Sequence, residues 1–470
     1  MRELQKDLLL DLRLGKTLTL SQQLRLTVRL SMPSMLAQLS TILMQYIDAS
    51  MVGQLGAADS ASIGLVSSTL NLFNGMCGAA AVGFTIQVAQ SIGAQEERTA
   101  RDLVKQGFAV TLALTLLLLA VGVAISGQLP HWLGAEPAIC AHASEYFFIA
   151  SLSFPLIQLY NLSAGMLQAT GDLKTPGLVM GAMGLMDILF NALLIFPTRQ
   201  WGTLTIPGAD LGVQGAALGT LLAELAAGLL LSWRLWKQSP MLHLRAGEGF
   251  HFHKEHLSRC VKLALPVAVE RLLMTSAGVV VTKMVAPLGT VSIAADSFAS
   301  TAESLCYMPA YGIQNAASTL VGQSVGARRG KSAYRFAMST VGFSMTVIAA
   351  TSAVLYAVAP IVIGMLSPDP QVVELGSRVL RIALLTEPFY GAFVTAMGVY
   401  QGAGDTLKPT VLNFLCMWGG RLPLIWILVG RFGLSGVWTA RAAEMALRGG
   451  LFIIYLARKR WMPKDLPRDT

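Results

Sequence analysis

Apolar windows of roughly twenty residues recur from one end of the chain to the other, broken by short stretches rich in Gly, Pro, Asp and basic residues. The run TLALTLLLLAVGVAI, from Thr111 to Ile125, is representative. A helix needs about 20 mostly apolar residues to cross the hydrocarbon layer. The pattern predicts helices over 30–50, 61–83, 104–126, 144–167, 176–197, 212–236, 261–285, 292–318, 335–360, 379–401, 410–430 and 434–456. Twelve transmembrane helices make this an all-α polytopic membrane protein.

Composition agrees. Of 470 residues, 54% are hydrophobic and 13% charged, whereas soluble domains carry about a quarter charged residues. The formal charge of +9 raises the question of nucleic acid. The basic residues, however, sit in short loops beside the predicted helices without interleaved aromatics, so no nucleic-acid partner is expected. They cluster at the N-terminus, after helix 2 (Arg98, Arg101, Lys105), between helices 6 and 7, after helix 8 (Arg328, Arg329, Lys331, Arg335) and in the tail. The intervening loops hold almost none. By the positive-inside rule both termini are expected to be cytoplasmic, and the protein is expected to be multi-pass in the plasma membrane, the inner membrane if the cell is Gram-negative. The five cysteines are scattered without a CxxC pair, so neither a disulfide framework nor a metal site is expected. Residues 1–30 alternate charges with Leu and resemble an interfacial amphipathic helix more than a cleaved signal.

A repeat organises the chain. LGAADSASIG at Leu55 and LGTVSIAADS at Leu288 begin alike, an offset of 233 residues. Pro33 matches Pro266, VAQSIGA at Val88 matches VGQSVGA at Val321, and QATGDLKTP at Gln168 matches QGAGDTLKP at Gln401, all at that offset. Further on, GVQGA at Gly212 pairs with GLSGV at Gly433 at offset 221, so the second half is shorter there. Six helices per half is an even number, which makes the repeat parallel and calls for a central cleft between two lobes. The expected divisions are a cytoplasmic or interfacial segment (1–29), a first lobe (30–236), a cytoplasmic linker (237–259), a second lobe (260–457) and a cytoplasmic tail (458–470). His243, His251, His253 and His256 fall in the linker and are read as solvated.

Four segments now carry a family likeness: IDASMVGQLG from Ile47, LVGQSVGA from Leu320, LQATGDLKTP with its repeat VYQGAGDTLKP, and LGVQGAALGT from Leu211. Together they resemble the multidrug and toxic compound extrusion (MATE) transporters, in order and over nearly the whole chain. The resemblance implies a secondary efflux antiporter that exchanges H+ or Na+ for organic, often cationic and amphipathic compounds by alternating access of two lobes. It implies no cofactor beyond that coupling cation. Flippases of lipid-linked oligosaccharides or peptidoglycan precursors share the architecture and form the competing reading. The expected partners are therefore a small organic substrate, the coupling cation and the lipid bilayer, with the chain acting as a monomer. Neither a GxxxxGK[ST] loop nor an HExxH set is present, so ATP drive and an intramembrane enzyme have no support.

An Asp at mid-membrane costs roughly 2.5–3.5 kcal/mol on insertion scales, so it should face a cavity or a partner. Asp48 lies late in predicted helix 1, and Asp187 lies in helix 5, four residues before Asn191 and on the same face. The resemblance places both carboxylates in a cation-coupling network of the first half, with Asn161 on helix 4 and Thr220 on helix 6 as contributors. One departure stands out: the family usually has Asn first and Asp four residues later, and here Asp187 precedes Asn191. The repeat partners of Asp48, Asp187 and Asn191 are Val281, Gly420 and Leu424, so this polar set belongs to one half alone. The second half has its own acidic cluster, Glu270, Glu303 and Glu387, with Arg271, Arg421 and Arg441 as potential partners. Tyr46, Tyr160, Tyr307 and Tyr390 are candidates for stacking on a cation in the substrate cavity, and Met183 for adaptable apolar contact. Asp172 and Asp405, in repeated GD turns, are expected to cap or order turns. Pro155 and Pro388, also 233 residues apart, are hinge candidates.

Overall fold

A computed structural model describes residues 8–11, 18–201, 204–245, 248–249, 251–463 and 466. Helices account for nearly all of it. In the first half these are α1 (Leu20–Gly53), α2 (Ala57–Gly93), α3 (Glu97–Ile125), α4 (Pro137–Leu152), α5 (Phe154–Ala169), α6 (Lys174–Leu194) and α7 (Gly212–Trp233). The second half has α8 (Lys254–Val285), α9 (Thr290–Gly326), α10 (Gly330–Leu366), α11 (Pro370–Leu384), α12 (Glu387–Ala403), α13 (Leu407–Phe414) and α14 (Leu422–Ala457).

By length and hydropathy, 7 of the described helices can each cross a membrane, or up to 9 when each bent pair, α4–α5 and α11–α12, counts as one span. The stretch Leu407–Ala457 is 51 residues long, about 75 Å at 1.5 Å per residue and more than twice the hydrocarbon thickness. It divides at Gly433, whose φ of 54° and ψ of −138° interrupt the helix. The helices α1 and α9, of 34 and 37 residues, are long enough but too polar to meet the hydropathy criterion. Counting them and the division at Gly433 gives the twelve spans expected from the pattern.

The repeat is visible in the backbone. Three pairs of corresponding glycines take positive φ: Gly56 and Gly289 (118° and 91°), Gly171 and Gly404 (87° and 85°), and Gly212 and Gly433 (53° and 54°). Even the non-glycine pair Gln95 and Arg328 shares the left-handed region, at 63° and 57°. In the GD turns a side chain would be strained at this φ, so glycine ends the helix and lets the chain reverse. Asp172 then accepts from the Thr175 N–H at 3.0 Å, as a cap does. Asp405 is held differently, by Lys408 at 3.3 Å and the Tyr455 hydroxyl at 2.6 Å.

Both bent spans turn at the corresponding prolines. The axis changes by 41° between α4 and α5 and by 54° between α11 and α12, with Pro155 and Pro388 in the first turn of the second helix of each pair. A proline there needs no N–H and stops the preceding helix from continuing through it.

Three local features differ from expectation. First, α1 begins at Leu20, ten residues before the predicted start, so Arg25 and Arg29 ride on the same helix as Asp48. Second, α2 and α9 run on to Gly93 and Gly326, through the repeated QSIGA and QSVGA. Their polar residues stay helical because they are satisfied: Gln90 donates to the Gly402 carbonyl at 2.9 Å, and Gln87 to the carbonyls of Gly83 and His256 at 3.1 and 3.2 Å. Third, a β-hairpin, β1 (Pro197–Trp201) antiparallel to β2 (Leu204–Ala209), joins α6 to α7. It fills the stretch by which the first half is longer, the difference between offsets 233 and 221.

The described residues fall into two compact units, one comprising Met1–Leu39, Ala89–Gln95 and Val269–Thr470, the other Ser40–Val88 and Glu96–Ala268. Within the first unit, the start of α1 lies against α9, where a Cβ on Gly312 would strike the Ser34–Met35 backbone. Within the second, the start of α8 lies against α2, where a Cβ on Gly83 would sit 2.7 Å from Cys260 Sγ.

Candidate functional site

In the second unit a polar site forms where α1, α6 and α7 meet. Ser40, Met44 and Asp48 succeed one another at four-residue spacing and so line one face of α1. Facing them, Gly181 and Gly184 of α6 leave room for close approach: a Cβ on Gly184 would lie 3.4 Å from Met44 Sδ, and one on Gly181 4.0 Å from Ser40 Oγ. Small residues at a membrane helix crossing bring backbones together in this way. One turn beyond, Asp187 and Asn191 continue the same face.

The Asn191 amide nitrogen donates to both carboxylates, to Asp48 Oδ1 at 3.0 Å and to Asp187 Oδ2 at 3.1 Å. Asp187 is 0% exposed and Asn191 2%, while Asp48 is half-buried. The other oxygen of Asp187 and the Asn191 side-chain carbonyl are buried without a hydrogen-bond partner among the described residues. Asn191 fits because α7 presents Gly219 to it; a Cβ there would collide with Asn191 Oδ1.

Of the other first-half candidates, Thr220 donates its hydroxyl to the Ala216 carbonyl one turn back, at 3.2 Å. Asn161 is half-buried on α5, and among the described residues no hydrogen bond ties it to Asp48, Asp187 or Asn191. Tyr160 is buried beside Gly228 of α7, and Tyr46 and Met183 are half-buried. Sequence reasoning missed Glu224, one turn after Thr220 on α7. Its Oε2 is buried without a hydrogen-bond partner among the described residues, and its charge reaches Asp187, Tyr146, Tyr160 and Cys77. The signal was available, since a Glu interrupts the apolar run GTLLAELAAGLLL.

The second-half candidates fall into two chains of contact in the other unit. Glu270 accepts from the Asn413 amide at 2.6 Å, and Asn413 Oδ1 accepts from Arg448 at 2.7 Å. Arg448 and Arg421 then hold Glu444 from both sides, at 3.1 and 2.7 Å, and Arg448 lies 4.2 Å above the Phe393 ring. Glu303 is paired with Arg441, which stacks 4.9 Å from the Trp438 ring centroid; Trp438 Nε1 donates to Asp296 at 2.8 Å. Glu387 is 0% exposed, and neither of its oxygens accepts from a donor among the described residues; its carboxyl lies against that of Glu303. The charges of Glu303 and Arg441 both act on it. Arg271 is exposed. Tyr307 and Tyr390 do come together, edge to face at 5.1 Å, with the Tyr311 and Tyr390 hydroxyls 3.0 Å apart. Asn413, Glu444, Arg448 and Asp296 were not singled out beforehand: Glu444 and Arg448 are four apart on α14, a local spacing that was passed over, whereas Asn413 and Asp296 find their partners on other helices at separations that no local motif encodes.

Among known proteins, the chain is 25% identical over 423 residues to the uncharacterized transporter YisQ of Bacillus subtilis, covering 89% of this chain and 91% of the relative. It is 24% identical to the probable multidrug resistance protein NorM of Thermotoga maritima, covering 92% of each. The bent form of the MATE transporter VcmN of Vibrio cholerae superposes with a TM-score of 0.85 at 17% identity, over 94% of this chain and 99% of that one, which establishes the common fold. The MatE family model matches residues 33–193 and again 266–427, once in each half; the chain belongs to this family of membrane transporters, which are not enzymes.

Proposed function

We propose that the chain is a secondary efflux antiporter that exports organic, cationic amphipathic compounds in exchange for H+ or Na+. It works as a monomer in the plasma membrane with both termini cytoplasmic. The reading is carried by one observation: Asn191 joins Asp48 to a fully buried Asp187 that keeps one oxygen unpartnered among the described residues. Two carboxylates that close, out of water, repel each other strongly unless a cation joins them. One bound H+ or Na+ removes that repulsion, and the packing of α1 against α6 then differs between the loaded and empty states. A conformational preference that depends on occupancy is what exchange requires. The name of the Thermotoga maritima relative supports drug export, and the flippase reading is not favoured by the relatives.

In proteoliposomes, an imposed H+ or Na+ gradient of the coupled ion should drive dye movement, and Asp48→Asn should reduce it to background. Transport at the wild-type rate in that variant would remove Asp48 from the coupling role. The double exchange Asp187→Asn with Asn191→Asp is expected to retain transport, because an amide and a carboxylate still face Asp48.

A second reading places coupling in the second half. It is favoured by Glu387, buried with neither oxygen accepting from a donor among the described residues. Gradient-driven transport that survives Asp48→Asn and is lost in Glu387→Gln would select it.

A further inference from the structure

At the end of α10 remote from the basic cluster Arg328–Arg335, the last turns of α10 and the facing side of α11 enclose a recess of about 870 Å³. Arg378 and Arg381 both line it. On that side of the chain cationic residues otherwise stand singly, as Arg199, Lys283 and Arg431 do, so two arginines one turn apart need a reason. Arg378 is answered in part by Glu374 at 2.8 Å, one turn earlier on α11. Arg381 donates only its Nε–H, to the Tyr356 carbonyl at 3.2 Å, with its guanidinium 5.3 Å from the Tyr356 ring centroid. Its terminal nitrogens have no hydrogen-bond partner among the described residues. Ser377, one position before Arg378, also lines the recess; it is 4% exposed and its hydroxyl has no partner among the described residues. A buried hydroxyl without a partner is unfavourable, and an acceptor in the recess would relieve it.

Glu374 also lines the recess, but its carboxylate is engaged by Arg378; the two guanidinium groups and a hydroxyl on the same lining match an oxyanion with several acceptor oxygens, a phosphate above all. The rim identifies its source. Leu385 on the lining is 69% exposed, and Met365 beside the recess is 81% exposed, apolar surface of the kind that meets acyl chains. We propose that the recess holds the phosphate headgroup of an anionic phospholipid, with Arg378, Arg381 and Ser377 on its oxygens and the chains running past Leu385 and Met365. With the termini cytoplasmic, the lipid belongs to the outer leaflet. Headgroup binding itself depends on neither that orientation nor transport. A surface pair between Glu374 and Arg378 explains Arg378 alone and leaves the terminal nitrogens of Arg381 and the Ser377 hydroxyl unanswered.

The test uses the full-length protein in detergent, titrated with phosphatidylglycerol, phosphatidylcholine or inorganic phosphate and read by native mass spectrometry, with a thermal melt of each variant as the folding control. Phosphatidylglycerol should be retained in preference to phosphatidylcholine. The Arg378→Gln/Arg381→Gln double variant should weaken retention about tenfold or more, as loss of charge-assisted bonds does. Ser377→Ala, which keeps both arginines, should weaken it about two- to fivefold. Equal retention of the two lipids, or unchanged retention in a folded double variant, would overturn the proposal. Displacement of the lipid by inorganic phosphate at matching affinity would overturn the lipid as the source.

Discussion

Asn191 occupies the position where the resemblance anticipates an aspartate, and Asp187 the position where it anticipates an asparagine. The geometry shows why the exchanged order still makes a site: the amide lies within reach of both carboxylates, so the set of groups is kept while their places along α6 are swapped. Asn191 in turn depends on Gly219, since no side chain fits against its carbonyl. Gly219→Ala should therefore cost about 1–3 kcal/mol through overpacking and move the amide off Asp48. The expected outcome is transport reduced to the level of Asn191→Leu, with the protein still folded by thermal melt; a rate equal to wild type would show that the amide position is unimportant. Asp48, Asp187 and Asn191 were legible in sequence because a carboxylate in an apolar window is conspicuous and a four-residue spacing fixes a shared face. Glu224 carries the same signal and was passed over. Of the Glu270–Asn413–Arg448–Glu444–Arg421 chain, only the Glu444–Arg448 pair, four apart on one helix, was local; the other links were illegible for a physical reason, since they are made by tertiary packing between segments 23 to 143 residues apart.

Among the elements, the helices were legible as apolar windows, but their ends were not. The pattern stops α2 near residue 83 because hydropathy falls there, whereas the helix continues because Gln87 and Gln90 find carbonyl partners. The hairpin was missed because its strands are short and follow directly on a membrane helix, with no alternating run long enough to register. The repeated motif, by contrast, acquires a meaning. A Cβ on Gly93 would collide with the Gln323 backbone, and a Cβ on Gly326 with the Gln90 backbone, although Gln90 and Gln323 are themselves repeat partners. Each copy of QSxGA receives the other. Gly93→Ala and Gly326→Ala should each destabilise the protein by about 1–3 kcal/mol. Because both changes act on one crossing, the double variant should fall short of additivity. Thermal melts of the three variants in detergent measure this, and strict additivity would show the two seats to be independent.

Over the whole molecule, the count of spans and the repeat were readable in advance, whereas the fixing of the linker was not. The segment expected to be solvated is tied to α3: Arg101 donates to both oxygens of Glu248 at 2.8–3.1 Å, Lys105 to its carbonyl at 3.1 Å, and Gln106 exchanges bonds with the His253 backbone. The Arg101 guanidinium holds the Glu248 carboxyl below the usual carboxylate range. A depressed value means that this tie contributes fully above the unfolded value of about 4.3 and is lost as pH falls below it. Proteolysis within 237–259 should therefore be slow at neutral pH and accelerate in acid. Glu248→Gln should raise the neutral rate about two- to fivefold, as expected for a partly exposed ion pair; an unchanged rate would show that other contacts fix the linker. The crossing of the two QSxGA segments has a consequence for descent. A contact in which each copy is the other's partner is the form that identical chains use to pair. A half-length chain with a single copy of the motif would carry both sides of that contact, so joining two such halves end to end would need no new interface at this point.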